Sequence, residues 1–298
     1  MSSATDRGTR PFRFGMYMMT SMSRKALIEK CRMAEDLGYD VIGVADHLTL
    51  MAPFPSLMLA AEVTQRPRLT TTVLNAGFYN PALLARDAAG FDQLTEGRFE
   101  LGIGTGYAKI DFDTAQISRP SPAQRVDHLE RLVAETGRLL ADPDFRPRPS
   151  QPSGPPLLLA GHGRRVLGMA ARHADIVGFS GFAPRHDHDI PDLIDSDGLA
   201  DRAAYVHHLL RDRDDDVELN INVWRVIVTG NRRAEAERLA ALRNLSADQM
   251  LNVPSVLIGT APQILDQLVE YRERFGFTYV TVTEDDLEAF GRVIELAR

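Results

Sequence analysis

Asp46 and His47 stand side by side directly after the apolar run Val41–Ala45, VIGVA. At the C-terminal end of a buried strand, both side chains project into the cleft on which the sheet opens. A histidine there takes or gives a proton near neutral pH, and a neighbouring carboxylate orients its ring. The plain alternative is a rim histidine that caps a loop. Further on, Gly102, Gly104 and Gly106 punctuate GIGTGY, which ends on Tyr107. Their GxGxG spacing departs from the dinucleotide fingerprint and no helix follows at once, so they read as bare backbone for the close approach of a flat ligand. Tyr107 carries a phenol whose ordinary pKa of about 10 suits a proton donor better than a base.

A third group, Gly161-His162-Gly163-Arg164-Arg165, sits where a strand gives way to a helix. Backbone N–H groups at a helix start, with two arginines beside them, suit a phosphate; the competing reading is a short turn with solvated arginines. Arg185-His186-Asp187-His188-Asp189 alternates metal-ligating types, yet no third cluster is spaced with it, and it reads as a solvated loop. Asp212–Asp216 reads as a solvated charge run and Trp224 as core.

Each of the first three groups lies at the end of a strand, and the stretch from Leu69 to Tyr107 shows why. Leu69–Asn75 is rich in β-branched and apolar residues, as a buried parallel strand is. Asn80 and Pro81 then start a helix with an N-cap and an N1 proline. Leu84, Ala88, Phe91 and Leu94 give it an apolar stripe, Gly97 stops it, and Arg98–Ile103 is the next strand. Along the whole chain the same reading yields eight strands: Phe12–Met19, Val41–Ala45, Leu69–Asn75, Arg98–Ile103, Leu157–Ala160, Asp175–Phe179, Glu218–Thr229 and Tyr279–Thr283. With helices between them, they fit a closed (β/α)₈ TIM barrel better than an open sheet. The expected organisation is a loose tail over residues 1–10 and one domain over 11–298. Rim insertions are expected at about 108–156 and 181–197, on the C-terminal face where such barrels keep their chemistry.

Composition excludes several classes. The 298 residues carry a net charge of −7, which lacks the basic footprint of a nucleic-acid binder. No stretch approaches the roughly 18 apolar residues needed to cross a bilayer. MSSATDRGTR has no apolar core and does not read as a signal peptide. A single cysteine, Cys31, rules out a disulfide framework and fits a cytoplasmic protein.

Four stretches together resemble the bacterial luciferase-like flavin and deazaflavin oxidoreductases, in order over nearly the whole chain. They are EDLGYDVIGVADHL, TTVLNAGFYNPALLARDAAGFDQLTEGRFELGIGTGY, GHGRRVLGMAARHADIVGF and IGTAPQILDQLVEYRERFGF. The similarity is greatest to the actinobacterial members that use the deazaflavin coenzyme F420. The resemblance implies a (β/α)₈ barrel of the luciferase-like type, a homodimer, and a separate reductase that supplies the reduced cofactor. It implies His47 near the reactive carbon of the ring; Tyr107, a departure from the family pattern, is the other catalytic candidate because its phenol can donate a proton. A non-proline cis peptide behind the ring falls at Thr72-Val73. Asp46, Asn75, Gly104, Thr105 and Gly106 complete the ring site, and Ala160, Gly161, His162, Gly163, Arg164 and Arg165 form the phosphate turn. The sugar-phosphate dehydrogenase branch has a glutamate after GTG and an aromatic residue four positions after the histidine. This chain has Tyr107 and Met51 there, which speaks against sugar-phosphate oxidation.

The expected reaction is hydride transfer between reduced F420 and an unsaturated small molecule at a C=C or C=N bond, as in natural-product tailoring, with the oxidation of an alcohol as the other direction that hydride transfer can take. Leu48, Leu50, Met51, Phe54 and Phe78 give an apolar rim that points to an uncharged substrate. The alternative is a monooxygenase using reduced FMN from a partner reductase. A third reading is a non-catalytic flavin-binding barrel.

Overall fold

The apolar runs become parallel strands that close on themselves. In chain order they are β1 Arg13–Met18, β2 Val41–Val44, β3 Arg68–Thr71, β4 Phe99–Gly104, β5 Leu157–Gly161, β6 Ile176–Phe179, β7 Glu218–Asn222 and β8 Phe277–Thr283. Each pairs with the next, and β8 returns to β1 with Arg13 opposite Tyr279 and Tyr17 opposite Thr283. The computed structural model describes residues 10–183 and 191–298. Residues 1–9 of the expected tail and the Arg185–Asp189 run lie outside the described residues.

The helices form where the caps predict. After α1 Arg24–Asp36 and α2 Pro53–Val63, Asn80 Oδ1 accepts the Ala82 N–H at 3.0 Å to start α3, Pro81–Leu94. Gly97 closes it at φ 81°, its N–H donating to the Asp92 carbonyl at 2.9 Å, a backbone geometry that glycine adopts without steric cost. Leu84, Ala88 and Phe91 are buried as the stripe requires, but Leu94, at the last turn, is 71% exposed. Among the described residues no helix is long and apolar enough to cross a membrane.

Two expectations about strands are corrected. The third strand is interrupted: after Thr71 it resumes at Leu74–Asn75, and the intervening Thr72–Val73 peptide is cis, where the resemblance implies it. The long seventh strand is two. β7 ends at Asn222, Val223 N–H donates to the Thr281 carbonyl at 2.8 Å, and Trp224 N–H turns to the Ser255 carbonyl at 2.7 Å. Arg225–Val228 then leaves the barrel to pair with Val256–Gly259, a strand that sequence reading missed. An unbroken apolar run does not say where its ladder partner changes.

Alternation along the strands fills the barrel in layers. At the N-terminal end Arg13 grips Glu100 with two bonds of 2.6 and 3.1 Å and Glu218 at 3.0 Å, while Arg68 Nε reaches Glu100 at 2.6 Å. Above them, Val41, Leu158, Ile176 and the fully buried Tyr279 seal the middle. The top layer is left to the mouth, where the candidate residues gather.

Candidate active site

His47 follows β2 at the mouth, and its partner is not the neighbour expected from the sequence. Its Nδ1 lies 2.7 Å from Asp111 Oδ2, and the other oxygen of Asp111 accepts the Leu48 N–H at 3.1 Å. A carboxylate only accepts, so His47 donates through Nδ1, and in a neutral ring the lone pair then lies on Nε2. Asp46, expected to orient His47, instead accepts the Asn75 N–H at 3.0 Å and lies beside the Tyr79 hydroxyl. Burial raises the Asp46 carboxyl above its ordinary value despite those contacts.

Asp111 is delivered by a short helix, α4 Lys109–Thr114, which sequence reading passed over as part of an insertion. Its next residue, Phe112, is fully buried and packs its ring 5.7 Å from that of Phe78. A Cβ on Gly77 would lie only 2.9 Å from Phe112. That anchor presses the helix onto the mouth and carries Asp111, itself 2% exposed, under His47. The sequence signal was present in KIDF: a carboxylate beside a large apolar residue soon after the glycine-rich strand end.

Tyr107 closes the other side, its ring edge-on to His47 at 5.8 Å and half-exposed. Desolvation of its hydroxyl, and then the charge of Asp111, raises the phenol above 10. It therefore stays protonated throughout the neutral range, as a donor must.

At the neighbouring strand ends the missing side chains make room for the chain's own residues Val73 and Asn75. A Cβ on Gly104 would lie 2.6 Å from Val73 Cγ2, and one on Gly106, at φ 69°, would collide with the Asn75 amide. Thr105 continues this bare rim between them. Thr72 Oγ1, Asn75 Nδ2 and His162 Nδ1 are buried without hydrogen-bond partners, a set that polar groups of a bound molecule would satisfy.

At the end of β5, Ala160 faces inward toward Gly178, and Gly161 is bare because a Cβ would meet Val166 at 2.7 Å. Gly163 has open space around it and caps α6, Arg164–His173, with no side chain bonded to the first-turn N–H groups. His162 is held below 6.5 by burial, with the Arg202 charge adding to it; Arg202 Nε donates to its carbonyl at 3.1 Å. The two arginines do not converge on this turn. Arg165 is engaged by Asp127 at 2.7 Å and Glu130 at 2.6 Å, both on α5, Pro122–Ala141. Arg164 lies over the Tyr205 ring at 5.1 Å. The backbone of Gly161–Gly163 and the start of α6 thus remain as the anion-compatible part.

Comparison with known proteins bears on this geometry. The family model described as luciferase-like monooxygenase matches residues 9–279. The chain is 26% identical to 4-hydroxyprotoasukamycin monooxygenase of Streptomyces nodosus subsp. asukaensis, over 90% of this chain and 83% of that protein. It is 31% identical to an F420-dependent glucose-6-phosphate dehydrogenase of Intrasporangium calvum over 51% of this chain and 52% of that one, so this second likeness spans about half of each. In fold, it superimposes on an F420-dependent secondary alcohol dehydrogenase with a TM-score of 0.74 at 16% identity, covering 97% of this chain and all of that one.

Proposed function

The chain belongs to the luciferase-like monooxygenase family, and from that premise we propose an oxidoreductase that uses reduced F420 to reduce an uncharged, unsaturated small molecule. Its relatives include both deazaflavin-dependent dehydrogenases and monooxygenases, so the choice between them rests on the site. The observation that carries the reading is the His47–Asp111 pair, 2.7 Å apart and edge-on to Tyr107, beside the bare rim of Gly104 and Gly106.

Thr72, Val73, Asn75, Gly104, Thr105 and Gly106 would hold the ring of the coenzyme, and the backbone of Ala160–Gly163 with the first turn of α6 its phosphate. When bound, the coenzyme supplies the hydride. The protein contributes proton chemistry and exclusion of water. Asp111 fixes the tautomer of His47 so that the lone pair of the neutral ring lies on Nε2, and Tyr107 holds a proton that it gives to the atom left electron-rich by reduction. Were an alcohol oxidised instead, a neutral His47 would take the hydroxyl proton at Nε2 as the hydride leaves the substrate carbon.

A second reading is favoured by one finding, the monooxygenase relative that aligns with 90% of this chain. In it, the same cradle holds reduced FMN delivered by a separate reductase. Anaerobic titration with F420 and with FMN, each oxidised and reduced, separates the two. Tight F420 binding with FMN much weaker supports hydride transfer. The reverse preference, with oxygen consumption on aeration, makes the protein a monooxygenase.

A further inference from the structure

Across the mouth from the coenzyme cradle, on the arc from β7 through β8 to β1, three polar residues take no part in the chemistry above. Strand parity turns them inward. Asn220, two residues before Asn222, donates through Nδ2 to the Tyr279 carbonyl and reaches Thr281 Oγ1. A Cβ on Gly15, two residues before Tyr17, would meet Thr281 and Tyr279. Register joins the next layer up, with Tyr17 opposite Thr283 and Asn222 opposite Thr281. Tyr17 is 6% exposed and its hydroxyl lies beside the Asn222 side-chain amide. Asn222 Oδ1 and Thr283 Oγ1 are buried with no hydrogen-bond partner, although both residues border the open end of the barrel.

Two orphaned oxygens beside a buried phenol are poor packing material. In a mouth they are complementary to a ligand group. The surrounding charge decides which group. Glu284 and Asp286 lie close enough that, after burial itself, they push the Tyr17 phenol upward. Both carboxylates are already engaged. Glu284 accepts from Met19 N–H and the Thr20 hydroxyl, and Asp286 from Val226 N–H and Arg225. An entering anion would face these two carboxylates, of which Asp286 is paired with Arg225 and Glu284 holds the Met19 N–H and the Thr20 hydroxyl. Asn222 Oδ1 accepts and the hydroxyls do both, so the best complement is neutral and carries a donor and an acceptor.

We propose that Tyr17, Asn222 and Thr283 form a substrate-recognition subsite for an uncharged hydroxyl or carboxamide group, held across the barrel from the coenzyme arc. The assignment of that ligand as substrate rests on the hydride-transfer reading.

Binding is read by isothermal titration calorimetry. Three probes of nearly one shape are titrated into the full-length protein: cyclohex-1-ene-1-carboxamide, cyclohex-1-ene-1-carboxylate and 1-methylcyclohexene. The carboxamide should bind about tenfold or more tightly than either of the others. Asn222→Leu and Thr283→Val should each erase most of that preference while leaving hydrocarbon affinity and F420 affinity within about twofold. Tyr17→Phe, which keeps the ring packing, repeats the measurement if either variant folds poorly. Equal binding of all three probes, preference for the carboxylate, no saturable carboxamide binding, or a preference unchanged in the variants overturns the subsite. A protein that shows the preference but binds no F420 would instead sink the hydride-transfer reading.

Discussion

A histidine is useful at a reacting centre only when its two ring nitrogens have different jobs, and Asp111 gives them different jobs here. The 2.7 Å contact to Nδ1 fixes both tautomer and ring plane. Replacing His47 by alanine should lower turnover by about 10²–10⁴-fold with F420 affinity nearly unchanged; turnover at the level of the parent protein would remove His47 from the mechanism. Asp111 acts through His47, so Asp111→Leu should lower kcat by about 10–10²-fold with little change in KM. It should also shift the ¹⁵N ring signals of His47 from a single Nδ1–H form to a mixture, and Asp111→Glu should restore part of both. A merely structural role for Asp111 would lower stability and leave the tautomer signals alone. Asp46 illustrates the limit of adjacency: it stands next to His47 in sequence, yet the strand end turns its carboxylate to the Asn75 N–H.

What positions these side chains was readable in part. The β2 end, the glycine-rich end of β4 and the turn after β5 were legible because each is a local signal: an apolar run, then a polar or glycine punctuation. Asp111 was not, because its role depends on Phe112 docking against Gly77 and Phe78, more than thirty residues away in the chain. The split of the seventh strand was hidden for the same reason, since Val223 and Trp224 change partner without changing composition. Arg165 looked free for phosphate, yet Asp127 and Glu130 sit on a helix whose packing no periodicity could reveal. The β5–α6 turn makes a prediction of its own. Burial holds His162 below its ordinary 6.5, so the unfolded chain binds its proton first as pH falls. Its contribution is thus fully present above pH 6.5 and is lost as pH drops through the folded value. The urea midpoint should fall between pH 7.5 and pH 5, and His162→Gln should flatten that slope; an unchanged slope would remove His162 as its cause.

The molecule divides its work between the two ends of one barrel. At the N-terminal end, Glu100 is 1% exposed and bonded to Arg13 and Arg68, with Glu218 sharing Arg13. At the other end lie the orphaned polar atoms of Thr72, Asn75, His162, Asn222 and Thr283 and the bare glycines of the mouth. Between them, Tyr279, Val41, Leu158 and Ile176 form a sealed apolar layer. Packed layers of this kind resist deformation, so damage at the charged end should cost stability and spare the mouth. Glu100→Ala leaves two arginines facing a gap, and removing one partner of a buried ion pair costs about 3–5 kcal/mol. The variant should therefore unfold at markedly lower urea while F420 affinity, measured at low temperature on the folded protein, stays within about twofold. A parallel loss of affinity in protein still folded by circular dichroism would mean that the middle layer transmits strain, and the mouth would then have to be understood as resting on its ion network.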